Sequence, residues 1–183
     1  MTAIAVYCAS STTIPARYAV LAAELGAEIG RRGHVLVTGG GSVSMMGAVG
    51  RAARAAGGHT VGVIPTALVA MEVADADTDE LVVVDGMRSR KAEMDDRAAA
   101  SVVLPGGIGT LEEFFEVWTA ASLGMHAKPV VVLDPDGFYE PLWAWLRDLS
   151  TRGFVRAAAL DTLLHARTVG QAVTAAETGR LPY

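Results

Sequence analysis

The chain has 183 residues, 51% of them apolar and 19% charged, with a net charge of −5. That is length and apolarity enough for one globular domain with a real core, and it excludes a disordered segment. The acidic balance offers no basic surface for nucleic acid, and no apolar run reaches membrane-spanning length.

Short apolar runs alternate with helical patterns from end to end. Residues 3–8 read as a first strand, entered with no secretory leader before it. Residues 15–32 predict a helix, with Tyr18, Leu21, Leu25 and Ile29 on one stripe and Gly33 placed to end it. Residues 34–38 predict a second strand. Gly39, Gly40 and Gly41 then break the chain, and residues 45–56 resume as an alanine-rich helix closed by Gly57 and Gly58. A third strand covers 60–64 and stops at Pro65. The stretch 66–80 reads as the longest loop, a lid or a solvated edge carrying Glu72, Asp75, Asp77 and Asp79. A fourth strand follows at 81–84, a helix over 91–100, a fifth strand at 101–104 and a helical pattern over 114–123. A sixth strand covers 129–133, a helix 138–151, and a last helix 168–178.

Strand–helix alternation with short, continuously apolar strands predicts a parallel sheet covered on both faces by helices. The expected fold is a Rossmann-like, doubly wound α/β domain spanning residues 1–183, with no internal repeat or linker.

Open parallel sheets bind ligands at the carboxyl ends of their strands, and both glycine runs fall there. The first, from Thr38 to Gly47, is neither the dinucleotide fingerprint, because Ser44 stands at the third glycine position, nor a Walker A loop, because no Lys-Ser/Thr pair follows. By itself it reads equally as a tight strand–helix turn. The second is Pro105, Gly106, Gly107, Ile108, Gly109, Thr110, Leu111, Glu112, Glu113. A glycine turn leading into a helix aims free backbone N–H groups at one point, and the helix dipole adds positive charge there. That is a phosphate seat, with two carboxylates close behind. The carboxylates also have a structural reading: Thr110 followed by Glu113 matches a capping box, and Glu112 in a first turn complements the dipole. A third cluster, Met87, Arg88, Ser89, Arg90 and Lys91, follows a strand. Basic groups are unfavourable in a first helical turn unless an anion compensates, which points to a role for at least one of them.

Gly39, Gly40, Gly41, Ser42, Val43, Met46 and Gly47, then Met87, Arg90 and Lys91, then Pro105, Gly106, Gly107, Gly109, Thr110 and Glu113, together resemble the Lonely Guy (LOG) family. Its members are cytokinin-activating phosphoribohydrolases, once widely mislabelled lysine decarboxylases. The likeness runs from residue 7 to about residue 155. It implies cleavage of the N-glycosidic bond of nucleoside 5′-monophosphates, cytokinin-type nucleotides and AMP among them, to free base and ribose 5-phosphate. It also implies no cofactor or metal, and a homodimer.

The resemblance makes Arg90 and Glu113 the catalytic pair, Lys91 their basic neighbour, residues 106–110 the phosphate loop and Glu72 a contact to the base. Met87, Arg88, Ile108, Glu112, Thr119, Gly40, Gly41 and Ser42 complete the expected substrate contacts. Arg88 departs from the family's usual histidine, and Ser44 and Met45 from its usual Gly-Leu; none of the three touches the catalytic pair.

Hydrolysis at C1′ passes through an oxocarbenium-like state that needs nearby negative charge and a placed water. Glu113, expected at a positive helix end, should stay ionised, suited to holding ribose hydroxyls or water and poorly suited to donating a proton. Arg90 and Lys91 would offset the repulsion between carboxylates and phosphate. The general acid for the leaving base is not visible in the sequence.

Other groups carry less. Cys8, the single cysteine, excludes an internal disulfide framework, fits a reducing cytoplasm, and reads as a buried structural thiol without a paired histidine. His34, His59, His126 and His165 have no metal-ligand spacing. A pyridoxal-phosphate decarboxylase would need a Schiff-base lysine, and only Lys91 and Lys128 exist. The helix after the second glycine run is apolar nearly all round, which predicts burial against a second copy. The competing readings are a non-catalytic nucleotide or molybdenum-cofactor carrier of the same fold, for which Arg90 and Glu113 together would be superfluous, and a DNA-processing role, which the acidic charge disfavours.

Overall fold

The computed structural model of the chain describes residues 1–69 and 74–182. Seven strands form one sheet: β1 (Ala3–Tyr7), β2 (Val35–Thr38), β3 (His59–Pro65), β4 (Glu80–Val84), β5 (Ala100–Val103), β6 (Val130–Leu133) and β7 (Leu163–Ala166). Their order is β4-β3-β2-β1-β5-β6-β7 and every pairing is parallel. The fold is the expected Rossmann-like doubly wound α/β arrangement.

The strands form where valine, isoleucine and alanine run without a polar interruption, because both faces of the sheet are covered. On one face α1 (Ala16–Arg31), α2 (Ser44–Ala55) and α8 (Val169–Thr178) pack over Ile4, Val6, Leu36 and Val102. On the other, α4 (Met87–Arg97), α5 (Ile108–Ser122) and α6 (Glu140–Thr151) pack over Ala5, Tyr7, Val37 and Val103. Two short helices, α3 (Thr66–Val69) and α7 (Ala157–Leu160), complete the described elements.

Chain direction across the sheet reverses at β1. From β1 the chain builds outward to β4, then returns to place β5 on the other side of β1. The crevice between the carboxyl ends of β1 and β5 is therefore the switch point where doubly wound sheets take ligands.

Several boundaries differ from the sequence expectation. The helix expected over 91–100 begins at Met87 and ends at Arg97, and Ala100 opens β5 instead. Its start is set by Ser89, whose hydroxyl accepts from the Gly86 N–H at 3.1 Å. The helix expected over 114–123 begins at Ile108, straight out of the glycine turn. β7, α3 and α7 have no counterpart in the sequence reading: α3 takes the first four residues of the expected 66–80 loop and Glu80 already belongs to β4, while β7 is four residues long, interrupted by exposed His165, and lies at a sheet edge.

In the acidic stretch, Asp75 is buried and takes the Arg54 guanidinium at 3.1 Å, while Asp79 accepts from both Thr60 N and Oγ1 at 2.7 Å. These two acids hold structure together. Glu72 lies outside the described residues. Among the described residues no helix is long and apolar enough to cross a membrane.

Candidate active site

Three loops meet at the switch point. The β2 exit supplies Gly39, Gly40 and Gly41; α4 supplies Arg90 from its first turn; the β5 exit and α5 supply residues 106–110 and Glu113. Arg90 and Glu113 are almost wholly buried, at 6% and 8% exposure. Arg90 Nε donates to the Val63 carbonyl at 3.1 Å, and Nη1 donates to Glu113 Oε1 at 3.0 Å. The guanidinium lies directly over Gly39, where a β-carbon would stand 2.6 Å from Cζ and nearer still to Nη2. Gly39 is therefore the bare backbone surface that lets Arg90 reach Glu113.

The α5 N-terminus is built differently from a capping box. Gly107 is the N-cap, and Thr110 sits in the first turn with its side chain folded against Gly106. A β-carbon at Gly106 would overlap Thr110, with Cγ2 at 2.7 Å, so only glycine fits there. Gly107 and Gly109 are exposed and face open space. The first N–H groups of α5 lack intrahelical acceptors, as in any helix, and here no side chain stands in front of them. Glu113 lies beyond the first turn and points to Arg90, away from Thr110.

The cavity at this point holds about 700 Å³ and is walled by Arg90, Glu113, Thr110, Gly39, Gly41 and the turn of residues 105–109. Its other side is apolar and comes from Ile14, Tyr18, Ile64, Leu68, Met87 and Phe138. The volume matches a small-molecule site, with few polar groups at one end of a mostly apolar hollow.

Burial raises the Glu113 carboxyl to about 6, against the lowering pull of the Arg90 charge. The group is thus mostly ionised at neutral pH, as expected. Its placement away from the helix end makes burial and Arg90, and not the dipole, the controlling influences. A carboxyl near 6 also exchanges protons close to neutrality, which the sequence reading had not foreseen.

The remaining expected contacts divide. Met87, Gly41, Gly106, Gly107, Ile108, Gly109 and Thr110 line the cavity. Gly40 is buried within the turn, its N–H bonded to Thr38 Oγ1 at 3.2 Å, and Ser42 is half-buried between the lining residues Gly41 and Val43 without lining the cavity itself. Arg88 is exposed and does not line the cavity. Lys91 faces a separate cavity of about 140 Å³ behind Glu113, where it bridges Glu112 and Glu116, the latter at 2.5 Å. Neither Lys91 nor Glu112 reaches the nucleotide-sized hollow, because neighbouring helix residues point about 100° apart. Thr119 is exposed farther along α5, outside the lining. Lys128 binds Asp95 at 3.1 Å, so neither lysine of the chain lines the hollow.

Sequence reasoning missed Ile14, Tyr18 and Phe138 as lining residues. Tyr18 does pack against the core with Leu25 and Ile29 on its helix stripe, and it also meets Phe138 edge-on at 5.8 Å at the cavity rim. Their signal was position, since Ile14 and Tyr18 follow a strand at the switch point, but that needs the strand order. Cys8 lies at the cavity floor with its thiol pushed up to about 12 by burial and the Glu113 charge. The native protein is expected not to react with a disulfide reagent at pH 8 and to release one thiol on denaturation; rapid native labelling would contradict this assignment.

A family model described as "possible lysine decarboxylase" matches residues 46–176. A protein of Mycobacterium tuberculosis (strain ATCC 25618 / H37Rv), named cytokinin riboside 5′-monophosphate phosphoribohydrolase, is 53% identical over 172 residues, 94% of this chain and 91% of that one. A protein of Oryza sativa subsp. japonica, named cytokinin riboside 5′-monophosphate phosphoribohydrolase LOG, is 44% identical over 170 residues, 93% of this chain and 70% of that one. Among solved structures, a molybdenum cofactor binding protein of Rippkaea orientalis superposes with a TM-score of 0.75 at 22% identity, covering 97% of this chain and 96% of that one. The molybdenum cofactor carrier protein of Chlamydomonas reinhardtii gives 0.71 at 23% identity, covering 96% of each. At those identities the structural likeness establishes the shared fold.

Proposed function

The chain belongs to the Lonely Guy (LOG) family of cytokinin riboside 5′-monophosphate phosphoribohydrolases, N-glycosyl hydrolases, and from that premise we propose that it hydrolyses cytokinin riboside 5′-monophosphates and AMP to free base and ribose 5-phosphate. The observation that carries the reading is the buried Arg90–Glu113 pair beside an open glycine turn at the head of α5.

The 5′-phosphate sits in the turn of residues 106–110, on the N–H groups that open α5 and on the helix dipole. That anchoring sets the ribose over Arg90 and Glu113, and the base extends along Ile14, Tyr18, Leu68 and Phe138. As the C1′–N bond stretches, positive charge grows on the ribose ring, and the Glu113 carboxylate stabilises it and orients the attacking water. Arg90 keeps Glu113 ionised despite its burial and fixes its rotamer. The protonating group for the departing base is left to water or a residue outside this constellation. Catalysis by these groups needs no cofactor.

Two further features accompany the proposal. Exposed Leu123 and Met125 at the end of α5, and half-buried Phe115 earlier along it, support a homodimer through this helix. A single buried thiol fits action in the cytoplasm.

The deciding experiment incubates the protein with isopentenyladenosine 5′-monophosphate and with AMP, side by side, and separates the products by chromatography. Free base and ribose 5-phosphate from at least the prenylated nucleotide are expected. No base from any 5′-monophosphate, with a molybdenum cofactor copurifying, would return the chain to the carrier reading. The pH dependence follows from Glu113: the carboxylate works ionised, so kcat/KM should be half-maximal near pH 6, level off above about pH 7 and fall about tenfold per unit well below pH 6. A profile flat from pH 5 to 8 would remove Glu113 as the ionised catalyst.

A further inference from the structure

The phosphate turn is anchored from outside the cavity. Pro105 has no N–H, so the polar groups on either side of it need partners elsewhere. The Leu104 carbonyl accepts from the Tyr139 hydroxyl at 2.8 Å, and the Gly106 N–H faces that same phenol oxygen and favours negative charge on it. One buried hydroxyl thus holds the carbonyl before Pro105 and sits against the N–H after it, while the Pro105 carbonyl accepts from Ala9 N–H at 3.3 Å. Tyr139 is fixed in turn by Asp134 at the end of β6, whose two carboxylate oxygens accept from the Phe138 N–H at 2.7 Å and the Tyr139 N–H at 2.9 Å. Both residues are buried, at 3% and 6% exposure, and Tyr139 is not part of the cavity wall.

We propose that Tyr139, held by Asp134, is a positioning residue that sets the aim of the phosphate turn and so the preference for a 5′-phosphorylated ligand. The inference rests on reading residues 106–110 as the phosphate seat. Packing alone does not require the hydroxyl: the ring fills its site against Trp143, with centroids 5.9 Å apart, and a phenylalanine would keep that contact. Removing the oxygen leaves the Leu104 carbonyl without its donor and the Gly106 N–H without the phenol oxygen it faces, and the turn relaxes where it meets the anion. Hydrogen bonds to a charged group depend steeply on geometry, so the loss falls on phosphate binding.

The test is Tyr139→Phe, checked for folding by circular dichroism. Ribose 5-phosphate and adenosine are each titrated by calorimetry, and KM and kcat are measured with isopentenyladenosine 5′-monophosphate. Ribose 5-phosphate affinity should fall, and KM rise, about five- to tenfold, with kcat and adenosine affinity changed less than about threefold. Equal weakening of both ligands, or of neither, overturns the proposal. If Tyr139→Phe does not fold, Asp134→Asn, which keeps volume and one acceptor oxygen, is read by the same split. Absence of hydrolysis by the wild-type protein would count against the proposed reaction alone, because the ribose 5-phosphate titration still reports on the Tyr139 anchor.

Discussion

Glu113→Gln is expected to lower kcat by about 10²–10⁴-fold while nucleotide binding stays within a few-fold of wild type. The substitution keeps the shape of the side chain and an oxygen able to accept from Arg90 Nη1, now at 3.0 Å from Oε1. It removes the negative charge, and the charge is what stabilises a cationic ribose and polarises a water. The ground-state nucleotide carries its own negative phosphate, so binding loses nothing essential and gains from reduced repulsion. Product chromatography gives kcat, and calorimetry with the intact nucleotide gives Kd. Retained wild-type turnover would refute a catalytic Glu113. Equal loss of turnover and binding would make it a structural partner of Arg90.

Gly39→Ala should be nearly as damaging, although the added methyl reacts with nothing. Gly39 is buried beneath the Arg90 guanidinium, and a β-carbon would occupy its place. Arg90 must then withdraw, giving up the Val63 carbonyl and the Glu113 carboxylate together. Breaking a buried ion pair by displacing one partner costs about 3–5 kcal/mol when the other charge stays uncompensated, and Glu113 is such a charge. We expect kcat/KM to fall at least about 10²-fold, with a melting temperature several degrees lower. A double-mutant cycle checks the cause. In an Arg90→Ala background the methyl has room, so Gly39→Ala should add little further loss. Full additivity of the two effects would show that Gly39 acts by some route other than Arg90.

The electrostatics of the site explain why both variants matter. Among the described residues Arg90 is the one counterion hydrogen-bonded to Glu113, and burial opposes it by raising the carboxyl to about 6. Lys91 adds only a weaker Coulombic pull from outside the hollow. It is committed to Glu112 and Glu116 on the other side of α5, so removing it should disturb the nucleotide hollow far less than removing Arg90.

Much of this protein was set by local chemistry alone. Continuous runs such as Val102, Val103, Leu104 and Val130, Val131, Val132 specify buried parallel strands wherever they fall in the chain, because only a sheet covered on both faces accommodates them. The glycine breaks after β2 and β5 likewise announce ligand-facing turns, since no other residue leaves backbone N–H groups so open. The tertiary structure decided what those local signals could not. Strand order put β1 between β2 and β5, which brought the Gly39 turn, Arg90 and Glu113 to one crevice from three separate segments. Helix rotation sent Arg90 into the hollow and its neighbour Lys91 out of it, and moved Thr110 from an expected cap to the packing of Gly106. Residue adjacency along a chain fixes composition at a locus. Which of two adjacent side chains faces a ligand depends on the helix's phase against the sheet, and that phase is set by packing across the whole fold.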